Sequence, residues 1–244
     1  MKILKRLTMT FIFPVLMLGI LTTSCSKDDD KPAYSCQSCA STPDALAVND
    51  ASVKGIYKGT IIGSTGTISI NIQNGSSTIT GTLVLDGVSV ALTSNVTLVD
   101  GQPYVAPFTG VYNGSQISLT LSVGLGGSNP TMVSSSIPGH PNAVFTIAKE
   151  TSTSLIEAFE GTYSISDGET GVFNVVLSRG IGLFGYIARE NGQVETNSGD
   201  GTVNASGQLI EEGIILGTIS GDIINGTFLN GDNNTVNITG NRTL

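Results

Sequence analysis

From Lys54 onward apolar and polar residues alternate with a period of two, the spacing that sends successive side chains to opposite faces of a strand. Ile68, Ile70 and Ile72 point one way while Thr67, Ser69 and Asn71 point the other. Ile117, Leu119, Leu121 and Val123 alternate with Ser118, Thr120 and Ser122; Phe173, Val175 and Leu177 repeat the pattern, as do Val236 and Ile238. Between such runs stand Asn74-Gly75, Asp86-Gly87, Asp100-Gly101, Asn113-Gly114, Asp167-Gly168, Asn191-Gly192, Asn225-Gly226 and Asn230-Gly231. These pairs accept the positive φ angles that tight hairpins demand. Many short strands joined in this way predict an all-β, antiparallel meander.

The meander repeats itself. Gly55-Ile56-Tyr57 corresponds to Gly161-Thr162-Tyr163, Gly66 to Ile72 to Gly171 to Leu177, Thr80-Gly81-Thr82 to Phe184-Gly185-Tyr186, and Gly110 to Ile117 to Gly217 to Ile224. The offset stays at roughly 105 residues, which predicts a duplication with one unit over 53–149 and a second over 150–244. A short helix is expected before each unit, at Asp44 to Asn49 with Thr42 as its N-cap and at Thr151 to Ala158. Each half is expected to close as a barrel, which removes exposed strand edges, or to form one sheet of a sandwich. Glycines inside the strands, such as Gly81, Gly110, Gly185 and Gly217, mark bends of a curling sheet or room for a ligand or a neighbouring chain.

Charge narrows the partners. Of 244 residues only 11 are Lys or Arg, against 19 Asp or Glu, and none of the 11 lies between Gly59 and Ala148. Nucleic acid and anionic lipid surfaces both need clustered cations, so neither is expected as a partner of the β-units. Ser, Thr and Asn do the solvating instead.

The front of the chain has the form of an export signal over 1–24. Lys2, Lys5 and Arg6 precede the apolar stretch Leu7 to Leu21, and small residues lead to Cys25. Loss of that segment would leave a mature chain near −11, because its three cations go with it. Residues 25–52 read as an anchor and flexible tether. Cys25 followed by Ser26, Lys27, Asp28, Asp29 and Asp30 resembles the lipoproteins of Bacteroidota. That resemblance implies acylation of Cys25, and an export mark at Lys27 to Asp30 that sends the protein to the outer face of the outer membrane. Cys36 and Cys39, a C-x-x-C pair outside the cytoplasm, are expected to form a local disulfide.

Chemistry is sparse. A nucleophilic triad needs a base, and the only histidine, His140, sits in the Pro/Gly loop Ile137 to Pro141, where a solvated turn residue is expected. No transition-metal centre and no cofactor are expected. Asn197 to Gly201 and Asn230 to Asn234 offer oxygen ligands for calcium, though ordinary polar turns explain them. Glu190, Glu195, Glu211, Glu212, Asp86 and Asp100 supply carboxylates for a glycan hydrolase, a class usually equipped with tryptophan platforms, and this chain has no Trp. The expected function is therefore a lipid-anchored, non-enzymatic binding or structural β-domain with a glycan or protein partner. Tyr104, Phe108, Tyr112, Phe184 and Tyr186 are its candidate exposed binding cluster. The alternative is a carrier of a small apolar ligand in a barrel interior lined by positions such as Ile68, Ile70, Phe173 and Val175. Gly55-x-Tyr57, Gly161-x-Tyr163 and Arg242 resemble the calycins, whose first strand carries Gly-x-Trp and whose last strand often lays a basic residue over that ring.

Overall fold

The computed structural model describes residues 34–244, so Cys25 and Lys27 to Asp30 lie outside the described residues. Among the described residues sixteen strands follow one another. The first eight are β1 (Gly55–Ile62), β2 (Gly66–Ile72), β3 (Ile79–Leu85), β4 (Val88–Thr93), β5 (Tyr104–Tyr112), β6 (Ser115–Val123), β7 (Thr131–Ser136) and β8 (Val144–Glu150). The second eight are β9 (Glu157–Ile165), β10 (Thr170–Ser178), β11 (Leu183–Glu190), β12 (Asn197–Val203), β13 (Gln208–Glu211), β14 (Ile214–Ser220), β15 (Ile223–Leu229) and β16 (Thr235–Arg242).

Each set of eight curls into its own antiparallel barrel with neighbours taken in meander order. In the second barrel β16 pairs with β9 along seven residues and the wall is closed. The first is nearly closed: its ladder runs from β7 through β1 to β8. A Ser135 hydroxyl donating to the Ala143 carbonyl at 3.4 Å spans the seam. A sandwich of two sheets does not form, because each half closes on itself before meeting the other.

Turn chemistry explains much of the path. Asp86 and Gly87 (φ 49° and 78°) and Asn113 and Gly114 (φ 47° and 79°) make hairpin turns with both central residues left-handed. Glu212-Gly213 does the same between β13 and β14, without an Asn or Asp to announce it. Asn225-Gly226, expected as a turn, lies inside β15 instead. Gly226 is opposite Ile238, and a Cβ there would collide with the Leu216 carbonyl. The expected helices are smaller than predicted. Only a 3-10 turn at Ala47–Asn49 forms in the first case, and residues 151–158 run through a Thr151–Ser154 bridge into β9.

The duplication is visible in the strand order, with one slip. The first three sequence correspondences join β1 to β9, β2 to β10 and β3 to β11, while the fourth joins the β5–β6 hairpin to β14–β15, one strand out of step.

The inward faces carry the predicted apolar alternation: Ile68, Ile70, Ile72, Leu119 and Leu121 are fully buried. Burying each such side chain contributes about 1.5–3 kcal/mol. Many outward positions are Ser, Thr or Asn, as at Ser118, Thr120, Asn237 and Thr239, with exposed valines such as Val105 and Val111 among them. Among the described residues no helix is long and apolar enough to cross a membrane.

The barrels meet side by side. All of β1 is buried, its outer face included, because β10 and β9 lie against it. Asn174 donates to the Ile61 carbonyl at 2.7 Å, and Ile156, Ala158 and Val176 form a small apolar seam with Ala148 and Leu244. Glu150 is the hub of this joint, accepting from Lys58 Nζ at 2.8 Å, Asp44 N–H at 2.7 Å and Ile156 N–H at 3.2 Å.

The segment expected as a flexible tether departs from that reading from Tyr34 onward. Tyr34 donates to the Arg242 carbonyl at 2.7 Å, Cys36 N–H to Asp222 at 2.8 Å, and Arg242 to the Ala40 carbonyl at 2.6 Å. Asn74 then holds Leu46 N–H and the Asn49 amide. Cys36 and Cys39 are joined by a disulfide. Backbone partners, invisible in the composition of the segment, lay it along both barrels.

Candidate functional site

The second barrel contains a cavity of about 260 Å³. Its wall is built by a repeated device: an aromatic ring directly opposite a glycine on the neighbouring strand. Between β9 and β10 the pairs are Phe173 with Gly161 and Tyr163 with Gly171. Between β11 and β12 they are Tyr186 with Gly199 and Phe184 with Gly201. A Cβ on Gly161 would stand 2.6 Å from the Phe173 ring, one on Gly199 2.6 Å from Tyr186, and one on Gly201 2.8 Å from Phe184. Each ring therefore lies down over the glycine and along the wall, instead of projecting to the barrel axis. Phe184 and Tyr186 stack with centroids 6.4 Å apart and planes 23° off parallel. The axis is left open.

The two ends of this barrel differ. At one end Arg242 and Arg179 hold Glu157. Arg179 Nε stands 2.7 Å and Arg242 Nε 3.7 Å from its carboxylate, and Arg242 also faces Asp222 at 3.4 Å. With the segment around Ala40 laid across, that end forms a floor. At the other end the β9–β10, β13–β14 and β15–β16 turns surround a mouth that bears Glu169, Glu211 and Asn230. Tyr163 donates to Glu169 at 2.6 Å, and Tyr186 to Glu211 at 3.2 Å. Burial first, then the neighbouring carboxylates, push the Tyr186 phenol up to about 12 and raise the Tyr163 phenol as well. Tyr163, Tyr186, Leu216 and Ile238 face inward yet are only partly buried, as expected of residues bordering an open cavity.

The five residues expected as one exposed aromatic cluster are split between the barrels and turned inside. Tyr104, Phe108 and Tyr112 are buried in the first barrel, because they alternate on the inward face of β5. Phe184 and Tyr186 line the cavity of the second. Ile68 and Ile70 sit in the interior of the first barrel, while Phe173 and Val175 line the cavity. Arg242 is opposite Phe159 and Tyr163 is opposite Ile238, so the arginine does not cover the tyrosine. Four residues, about 13 Å of strand, separate their levels.

The candidate chemical groups are arranged as follows. His140 is largely buried, not solvated: it stands edge-on to Tyr112, with Nε2 3.4 Å from Asp86. Ser64 donates to Asp86 at 2.6 Å, which holds that carboxyl below its ordinary range. The serine thus meets the carboxylate and not the imidazole, so the order nucleophile–base–acid is not built. Asp100 is exposed beside Lys54 at 3.5 Å. Glu190, Glu195 and Glu212 are outside the cavity lining, whereas Glu211 is within it. Asn197 to Gly201 is strand and not a turn. Asn230 closes its own turn by accepting from Asp232 and Asn234 N–H. Among the described residues no group of three or more His, Cys, Asp or Glu is placed to hold a metal ion.

Glu169 and Leu209 belong to the site without having been singled out in the sequence. Leu209 lies on β13, a strand too short to show a period, and Glu169 follows a turn where a charge signals only solubility. A glycine recurring two residues from another, as at Gly199 and Gly201, was the readable sign of rings overhead. Comparisons with protein families, curated proteins and solved structures return no match for this chain.

Proposed function

We propose that the protein binds a small, mostly apolar molecule in its second barrel and does not transform it. The observation that carries this reading is the cavity of about 260 Å³, walled by flattened rings. Concave, largely apolar sites with a few convergent polar groups are the usual form of small-molecule sites. Support for binding without turnover comes from the carboxylates. Glu169 and Glu211 are each held by a tyrosine, and Asp86, His140 and Ser64 stand in an order that activates no nucleophile. The glycan- or protein-binding surface expected from exposed aromatics loses its footing, because those rings face inward.

The site belongs, in this proposal, to a protein acylated at Cys25 and displayed on the outer face of the outer membrane. The signal-like segment and Lys27 to Asp30 support this. Mass spectrometry of the processed N-terminus should find a lipid-modified cysteine, and protease shaving of intact cells should remove the barrels. An unmodified terminus would end that part of the reading.

Binding is tested with a neutral environment-sensitive fluorophore, N-phenyl-1-naphthylamine. Emission should rise and saturate at one equivalent, and Ala188→Phe, which puts a ring into the cavity, should abolish the rise while the fold persists. Saturation that ignores this substitution would place the ligand elsewhere and refute the proposal.

A further inference from the structure

Among the described residues the polar groups of the cavity include no cation. Its lining, among those residues, has two carboxylates, Glu169 and Glu211, two phenols and two amides, Asn197 and Asn230, and neither Lys nor Arg. Each phenol directs its one proton to a carboxylate and turns only acceptor lone pairs towards the mouth. Among the described residues each of these carboxylates accepts a side-chain hydrogen bond from its tyrosine alone, which leaves acceptor capacity unused at the rim. The barrel's guanidinium groups are directed elsewhere. Arg189 reaches outward to the Asn142 carbonyl at 2.8 Å, and Arg179 and Arg242 are held at the floor. The charges of Glu190 and Asp200 add in a small way to the field that pushes Tyr163 and Tyr186 up. The stacked faces of Phe184 and Tyr186 supply π density, which attracts cations.

We propose, resting on the cavity reading above, that the ligand is an amphipathic cation: a protonated amine whose hydrocarbon or aromatic part fills the apolar depth. Its N–H donors reach Glu169 and Glu211 at the rim. Half-buried carboxylates at the rim reward a donor that also carries positive charge, because charge-assisted hydrogen bonds are roughly twice as strong as neutral ones. A carboxylate or phosphate head would meet like charge with no cation to answer it.

The test uses the full chain carrying Cys25→Ala, so that no acyl group competes, titrated calorimetrically with octylamine, octan-1-ol and octanoate. These probes share one tail and differ in the head. Octylamine should bind at least about tenfold more tightly than octanol, with octanoate weakest, a ratio equivalent to about 1.4 kcal/mol. The double variant Glu169→Gln, Glu211→Gln should bring octylamine to the level of octanol, with its melting curve confirming the fold. Equal binding of all three probes, or octanoate in first place, overturns the cationic ligand and leaves the cavity reading intact. No binding of any probe, by wild type and Ala188→Phe alike, overturns both.

Discussion

Midway along the wall of the first barrel Leu83 is opposite Val90 and Gly81 opposite Leu92; on the corresponding strands of the second, Phe184 is opposite Gly201 and Tyr186 opposite Gly199. Each barrel thus spends its side-chain volume differently on the same frame. A branched aliphatic chain leaves the wall close to perpendicular and meets its counterparts at the axis, so an eight-stranded barrel lined with them is filled. A ring facing a glycine has no Cβ beneath it and lies along the sheet, so equal or greater volume is deposited on the wall and the axis stays free. The entry strands make the same contrast: Tyr57 is opposite Ile70, Tyr163 opposite Gly171. What separates the packed barrel from the hollow one is the partner of each ring together with a smaller set of core residues in the second.

The largest test of this contrast compares two phenylalanines. Phe108→Ala removes a ring enclosed on all sides in the first barrel. It should cost about 3–5 kcal/mol, the usual range for a fully packed aromatic. Phe184→Ala should cost about half as much, because one face of that ring already borders the cavity and loses few neighbours. Chemical denaturation of both variants checks it. Equal losses would mean that the second interior is as tightly filled as the first.

Next in size is Gly199→Val. The new side chain occupies the place of the Tyr186 ring and of Glu211 Oε1. The ring must swing towards the axis, with an overpacking cost of about 1–3 kcal/mol. Fluorophore binding should disappear as well. Retained binding with a crystal structure showing an unmoved ring would refute the role given to the glycine.

Much of the frame was legible, and the reason is periodicity. Inward Ile68, Ile70, Ile72 and inward Phe173, Val175, Leu177 were readable because strand geometry allows only two directions for a side chain. Closure into barrels was readable only as one of two options, since sheet-on-sheet packing buries the same alternating face. The cavity was harder to read. Phe184 and Tyr186 stand among five candidate residues of an exposed cluster in the sequence reading, and the cross-strand register that sets Gly201 and Gly199 beneath them is long-range information that the pattern does not carry. Register also undid the pairing expected between Arg242 and Tyr163. Glu150 gave no signal at all. Its partners Asp44, Lys58 and Ile156 are scattered along the chain and meet only where the barrels join.

That joint offers a smaller effect, which asks whether the two barrels melt as one. Glu160 accepts the Gly66 N–H at 3.1 Å from the neighbouring barrel, and burial raises its carboxyl from 4.5 to about 7. The folded chain therefore favours the protonated form. The stability it contributes is fully present below about pH 4.5 and is lost as pH climbs through 7. Glu160→Gln should abolish that decline and at pH 8 should gain on the order of 1–2 kcal/mol, after allowance for solvent screening. If the barrels unfold together the gain appears in a single calorimetric transition. Two transitions with only one shifted would show that they melt separately.

Single hydroxyls return the comparison to the two interiors. The Tyr57 hydroxyl donates to the Val53 carbonyl at 2.7 Å within the first core, where burial pushes the phenol far above its ordinary range. Tyr57→Phe leaves a carbonyl without its donor in dry surroundings, and should cost about 1–3 kcal/mol. The Tyr186 hydroxyl donates to Glu211, a charged and stronger acceptor, at 3.2 Å. Judged by partner alone, Tyr186→Phe should be the costlier change. Its setting reverses that order: the carboxylate stands at the mouth of a cavity, where water replaces the lost proton donor, so the expected cost is below about 1 kcal/mol. Melting the two variants side by side ranks the interiors by access to solvent. A costlier Tyr186→Phe would mean that the mouth is shut.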